Sequence, residues 1–245
     1  MSLSLVTAPT VEPLSVAEAR ARLNIGPEVT DVALSAFISA ARQMIDGRDG
    51  WLGRAINTQT WDLVLDRFPT SNYYYQEKGF YPAQVWYPYP QEVWGMYPYT
   101  SKRRHGISIP LPPLQQVVSV TYIDVATNAV LTLDPSTYVV IPDAPSDLSL
   151  IVGNAWPTSA LTAGAVRVRF VAGYGDAGTD VPETIRTGIA LQASHLRSLS
   201  QQNLFIRSKA VPGVLTQEWT VSPNAGAVIT DAVAALLQGL RVWNS

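Results

Sequence analysis

The sequence has no cysteine among its 245 residues and only two histidines, His105 and His195. The first absence excludes a disulfide scaffold, a cysteine nucleophile and any thiolate metal site. The second excludes a histidine-rich metal centre. There is no surplus of positive charge: 17 Lys+Arg stand against 19 Asp+Glu, a formal net charge of -2. A protein that wraps duplex DNA needs the opposite balance, because Lys and Arg must displace the counterions of the phosphates. Long apolar runs are also missing. Ala225 to Leu240 comes nearest to the ~20 apolar residues of a membrane span, and Asp231 and Gln238 interrupt it. The opening MSLSLVTAPTVEPL has no basic n-region and no sustained apolar stretch, so no secretory leader and no membrane contact are expected.

What is present is a chain that can bury a core. It is 47% hydrophobic and 15% charged, and its length suits one large domain or two small ones. Residues 1–56 read as helical. Ser15-Val16-Ala17-Glu18 has the capping-box pattern, in which the Ser hydroxyl accepts an orphan N–H and the Glu reaches back. Gly26-Pro27 should stop that helix near Asn24. A second helix is expected from Thr30 or Asp31, with Leu34, Phe37, Ile38, Ala41, Met44 and Ile45 on its buried face.

The period changes at Gln59. Trp61, Leu63 and Leu65 alternate with Asp62, Val64 and Asp66, the signature of a half-buried strand. Strands are expected at 117–124, 130–133, 138–141, 148–152 and 165–171, forming a small antiparallel region. Asp180-Val181-Pro182-Glu183 then reads as a helix start, with Asp180 as N-cap. Ile185, Ile189, Ala193, Leu196 and Leu199 share one face of that helix. The expected fold class is therefore α+β. Its N-terminal helical hairpin and later helices form a bundle, with an inserted antiparallel β-region and an extended C-terminal arm. The expected division is 1–56 for the first bundle helices, 57–175 for the β-region, 176–200 for the later bundle helix and 201–245 for the arm. Within the arm, 218–221 reads as a lone strand and 229–242 as a helix apolar almost all round, which must be covered by its own core or by a partner.

Tyr73 to Tyr99 is the compositional outlier, holding eight Tyr, Trp86, Trp94 and Phe80. Pro82, Pro88, Pro90 and Pro98 forbid a long helix or a central strand there. Three readings stay open: a protein–protein contact loop, a loop folded over its own sheet, and a stacking platform for sugars or single-stranded bases. Lys102-Arg103-Arg104-His105 invites a phosphate reading but equally suits a solvated face. Residues expected at interfaces are Trp86, Trp94 and Tyr97 in the aromatic segment, and Arg207, Lys209, Trp219, Leu237, Leu240 and Trp243 in the arm.

Catalytic signals are poor. The glycines of 172–178 lack the Lys-Ser/Thr of a P-loop and the register of a dinucleotide fingerprint. His195 falls mid-helix with no Ser–His–acid arrangement in view, and Asp62 and Asp66 fall on an exposed strand face. No enzyme activity, metal or cofactor is expected.

An ordered set of short motifs carries a resemblance. It runs through Leu14-Ser15-Val16-Ala17-Glu18-Ala19, Ala40-Ala41-Arg42 and Trp51-Leu52-Gly53-Arg54-Ala55-Ile56, then Leu111-Pro112-Pro113-Leu114, Val168-Arg169-Phe170-Val171-Ala172-Gly173-Tyr174 and Val181-Pro182-Glu183. Together these resemble the head–tail connector (adaptor) family of tailed phages, similar members of which occur in gene-transfer-agent particles. The resemblance implies a non-enzymatic virion protein that takes part in head completion and genome packaging. It implies a homo-oligomeric ring, dodecameric by expectation, beneath the portal protein. Such a ring extends the channel for double-stranded DNA without binding it specifically, and offers a platform for a stopper or tail-terminator protein. Assembly would take place in the bacterial host cytoplasm. The reading from another class is a carbohydrate-binding surface module using the Tyr/Trp-rich segment.

Overall fold

The computed structural model describes residues 1–69, 106–201, 208–211, 215–218 and 231–242, with the backbone alone at 201, 208–211 and 215–218. The architecture is mixed α+β with antiparallel sheets. The chain opens with β1 (Ser2–Thr7), then α1 (Val16–Leu23) and α2 (Asp31–Ile45). It continues through β2 (Gln59–Leu65), β3 (Ile107–Ile109), β4 (Leu114–Ile123), β5 (Val130–Thr132), β6 (Tyr138–Ile141), β7 (Ser146–Leu150) and β8 (Val166–Ala172). After α3 (Glu183–Gln201) come β9 (Ser208–Val211) and β10 (Leu215–Glu218), and then α4, which spans 231–237.

Five strands form one sheet in the order β1-β2-β8-β4-β5, and β3-β7-β6 form a second. The inward side chains of both sheets share one core, with Leu63, Val168 and Phe170 from the larger and Ile109 and Leu148 from the smaller. Alternation decides this: in β8 residues 166, 168, 170 and 172 are buried while Arg167 is exposed. At one end of this core Phe68 stacks on Trp156 with ring centroids 4.9 Å apart and meets Tyr122 edge-on.

The helices own a separate core. The stripe Leu34, Ile38, Ala41 and Ile45 of α2 packs with Ile185, Ile189 and Ala193 of α3, while α1 adds Ala19 and α4 adds Val233 and Leu237. Each fully buried Leu or Ile contributes about 1.5–3 kcal/mol relative to exposure. Met44 and Leu199, expected on the buried faces, are exposed instead, because the stripes are narrower than the sequence period allows. Local chemistry sets the helix ends. The hydroxyls of Ser15 and Thr30 accept from the amides of Glu18 and Ala33, and Asn24 closes α1 in the left-handed region at φ 49°.

Four expectations need correction. Residues 2–7 are not helical: they form the edge strand β1, with Leu3 opposite Leu63 and Leu5 opposite Trp61. Glu18 does not close a capping box, because its carboxylate accepts from Arg22 and Arg186. Asp180 does not cap α3. Its Oδ2 accepts from Ala177 N (3.0 Å) within the preceding turn, and the carbonyl of Pro182 receives the helical amide of Arg186 (3.2 Å). The strand expected at 218–221 is not a lone one, since Leu215–Glu218 pairs antiparallel with Ser208–Val211. Trp219 and the two residues after it lie outside the described residues.

Candidate functional site

Among the described residues, a dense set of hydrogen bonds and ion pairs lies where three stretches distant in sequence meet around the helices. Glu18 Oε1 accepts from Arg22 Nε (3.0 Å) and from Arg186 Nη2, and Arg186 also bonds Glu183 Oε2 (3.0 Å) and the carbonyl of Pro13 (3.2 Å). Arg22 bonds Glu183 in turn, so two arginines and two glutamates join α1 to the first turn of α3. The Arg22 bond holds the Glu183 carboxyl below the ordinary range, and its bonds to Glu183 and Glu18 raise Arg22 above the usual guanidinium value. Arg197 on α3 reaches Glu28, and Arg20 on α1 reaches Asp31 on α2 (2.7 Å).

A second knot ties the helices to the sheet. Asp46, just past α2, is buried, and its Oδ1 accepts from the Ile56 amide and from Gln59 Nε2, both at 2.8 Å. Its Oδ2 takes Arg42 Nη1 at 2.7 Å, and the same guanidinium donates through Nε to Glu12 at 2.8 Å. Burial pushes the Asp46 carboxyl up, with the Ile56 amide and Arg42 working the other way. Burial also opposes charge on Arg42, yet the bond to Glu12 and the nearby carboxylates hold it above its ordinary value. A buried charge of this kind is tolerated only when paired and fully hydrogen-bonded, as here.

The third feature is the seat of the C-terminal segment. Leu237 is fully buried in the helical core, and Leu240 packs against that core partly exposed. Val242 N donates to Leu52 O (2.9 Å), Arg54 Nε donates to Leu240 O, and the Arg241 guanidinium lies 4.6 Å from the Trp51 ring centre. Two glycines make room. A Cβ on Gly188 would meet Leu237 Cδ1 at 3.0 Å, and one on Gly53 (φ 63°) would meet Val242 O at 2.9 Å. On the outer face of the larger sheet, Asp62 takes Arg169 in a fork (2.8 and 2.9 Å) and Arg167 at 3.4 Å. The Arg169 bond holds the Asp62 carboxyl below its ordinary range. Asp62, expected on an exposed face, is in fact covered by these two arginines.

Of the expected interface residues, the structure describes the side chains of Leu237 and Leu240 only. Leu237 lies at 0% exposure within its own chain, so that side chain is covered from inside and has no surface left for a partner. Lys209 lies on β9, where the backbone alone is described. Trp86, Trp94, Tyr97, Arg207, Trp219 and Trp243 lie outside the described residues, as does the whole Tyr73–Tyr99 segment on which the carbohydrate reading rests. The structure brings Leu237 against Gly188, Val242 against Gly53 and Arg241 against Trp51. Their proximity has no signal in the spacing of the chain. Among the described residues no group of three or more His, Cys, Asp or Glu could hold a metal ion, and no helix is long and apolar enough to cross a membrane. The chemistry these places offer is fastening.

No family model and no curated protein matches the chain. Solved structures do. A chain from the "Neck of empty GTA particle computed with C6 symmetry" superposes with a TM-score of 0.59 at 21% identity, covering 100% of this chain and 97% of that one. A chain of the "Virion of native gene transfer agent (GTA) particle" gives 0.61 at 19%, with the same coverage. A chain from the "Neck of native GTA particle computed with C12 symmetry" gives 0.56 at 20%, again over 100% and 97%. At these identities the likeness establishes a shared fold.

Proposed function

We propose that this chain is a structural component of the neck of a tailed-phage or gene-transfer-agent particle, a head–tail connector of the adaptor type. The observation that carries the reading is the end-to-end match with chains of gene-transfer-agent necks, 100% of this chain against 97% of theirs. The C6 and C12 symmetries of those necks support a homo-oligomeric ring here, located in the virion at the head–tail junction. The paired charges fit this role. Arginines locked onto Glu18, Glu183, Glu12 and Asp46 present little free positive charge, and a passage for sliding DNA must not grip phosphates.

In this reading the helices of 1–56 and 176–200 form a bundle and 57–175 an inserted β-region. The aromatic segment and the part of 201–245 outside the seated residues 231–242 reach the portal above and the stopper or tail-terminator protein below. The ring extends the DNA channel during genome packaging and has no catalytic role. The test is negative-stain imaging of the purified chain, alone and mixed with the portal protein of the same particle. Closed rings that stack coaxially on the portal are the expected result. A chain that stays monomeric in both samples and leaves the portal unchanged would overturn the reading.

A further inference from the structure

With no cysteine in the chain, its sulfur lies in three methionines, Met1, Met44 and Met96. Met96 lies outside the described residues, and Met1 stands at the terminus, 75% exposed. Met44 differs from an ordinary surface methionine. It sits in the last turn of α2, 52% exposed, and its Sδ accepts from Nε2 of Gln192 on α3 (3.5 Å). Its carbonyl accepts the Trp51 amide (3.0 Å), so the residue borders α2, α3 and the turn that carries Trp51.

Gln192 is the unusual half of this pair. It is 7% exposed, on a helix whose Ile189, Ala190 and Ala193 are buried beside it. A buried amide donor ordinarily finds an oxygen acceptor, whereas a thioether sulfur accepts only weakly. The pair thus sets a buried donor on a weak acceptor that is itself half open to water. One added oxygen atom on the sulfur removes that mismatch, because a sulfoxide is polar where the thioether is not.

We propose that Met44 is a site of reversible oxidation by peroxide, and that Gln192 retains the sulfoxide formed there. A lone pair of Sδ attacks one oxygen of hydrogen peroxide, and the S–O bond forms as the O–O bond breaks. The sulfur is oxidised by two electrons. The proton of the transferred oxygen passes to the departing hydroxide, so the peroxide is reduced to water. Exposure of Met44 gives the oxidant access to the sulfur. The unbranched side chain, with three rotatable bonds, lets the new oxygen turn to Gln192 Nε2. In a packed core the same oxidation places a polar group among apolar ones and disrupts them. Here the polar group meets a donor already in place. A methionine sulfoxide reductase restores the thioether, taking two electrons from a pair of thiols and releasing the oxygen as water.

The test uses the full chain, treated with dilute hydrogen peroxide and mapped by peptide mass spectrometry, with Met44→Leu as the control for oxidation elsewhere. Met44 is expected to take up one oxygen under conditions that oxidise a free methionyl peptide, and sulfoxide reductase to remove it. Urea unfolding then reads a cycle between oxidation and Gln192→Leu. Oxidised wild type is expected to keep its stability or gain. Oxidation of Gln192→Leu should shift the unfolding equilibrium about two- to tenfold further towards the unfolded state than oxidation of wild type does. NMR of the wild-type chain gives a readout that does not depend on that variant folding. The Gln192 side-chain amide protons are expected to move downfield on oxidation, and to stay in place when Met44→Leu is treated alike. A Met44 that resists peroxide overturns the site. Oxidation that shifts wild type and Gln192→Leu equally, or a Gln192 amide resonance that does not move, overturns retention by Gln192 and with it the proposal.

Discussion

The sheet sandwich and the helical layer solve the same problem by different means. The sandwich is held by neighbouring strands whose side chains meet in register, and among its described ion pairs only those of Asp62 cross strands of the larger sheet. The helical layer joins pieces from residues 12–56, 183–197 and 233–242, and at most of these joints an arginine sits on a carboxylate or a carbonyl. Backbone ladders fix a sheet without help from side-chain charge. Helices have no such ladder between them, so their packing angles and register must come from apolar fit and directed side-chain bonds. The sandwich should therefore behave as the rigid body of the molecule. The helical layer should be the part that can loosen in steps.

The contrast is tested most severely by removing a large side chain from each core. Phe170→Ala empties the centre of the sandwich, where Phe170 is fully buried, and is expected to cost about 3–5 kcal/mol. Hydrogen exchange should then accelerate in β2, β4 and β8 together. Leu237→Ala removes an equally buried side chain from the helical core, but from a segment that contributes only Val233 and Leu237 to the buried set. A loss of about 2 kcal/mol is expected, with faster exchange in residues 231–242 and α3 and unchanged protection in β8. If Leu237→Ala loosens the sandwich as much as Phe170→Ala does, the two regions are one cooperative unit and the comparison fails.

A smaller perturbation addresses the seat alone. Gly53→Ala forces a side chain into φ 63° and places its Cβ within 2.9 Å of Val242 O. The backbone strain is about 1–2 kcal/mol, and the clash can be relieved only by moving the terminal segment. Urea unfolding should show that loss, and residues 240–242 should exchange freely while α1 and α2 keep their protection.

Much of the sandwich and of the helix ends is legible in the sequence because its causes are local. The alternation of Trp61, Leu63 and Leu65, the hydroxyls at Ser15 and Thr30, and the left-handed Asn24 all act within one element. Most of the failures share one physical reason, which is a partner far away in sequence; Asp180 is the exception, taken by the Ala177 amide three residues earlier. Ser2–Thr7 becomes a strand only because residues 60–64 offer it an edge. Glu18 leaves its capping box because Arg186 is there to claim it, and Asp62 is covered because Arg169 lies opposite it on β8. Leu237 reads as a residue for a partner because nothing near it in sequence shows the pocket beside Gly188. The motif resemblance goes further than the periodicities. It points to a gene-transfer-agent or phage fold, which the whole-length superpositions share.

The smallest effect expected is also the one that separates the regions by sign. Asp62, on the sheet, has its carboxyl lowered by Arg169, so its contribution is complete above the ordinary Asp value near about 3.9 and is lost as pH falls through the lowered folded value. Asp46, at the joint with the helices, has its carboxyl raised by burial, so the folded protein holds that proton more tightly than the unfolded chain does. Its contribution therefore improves as pH falls from the raised folded value towards the ordinary one, and is complete below the latter. Unfolding free energies measured in urea from neutral pH down into the acid range should show both limbs. Asp62→Asn is expected to flatten the loss at the acid end, and Asp46→Asn to remove the gain at milder acidity. Asp46→Asn should also lower stability throughout, because Arg42 then keeps only Glu12 as a charged partner. Should the two variants change the pH profile in the same direction, the sheet carboxylate and the joint carboxylate are not held in the opposite ways described here.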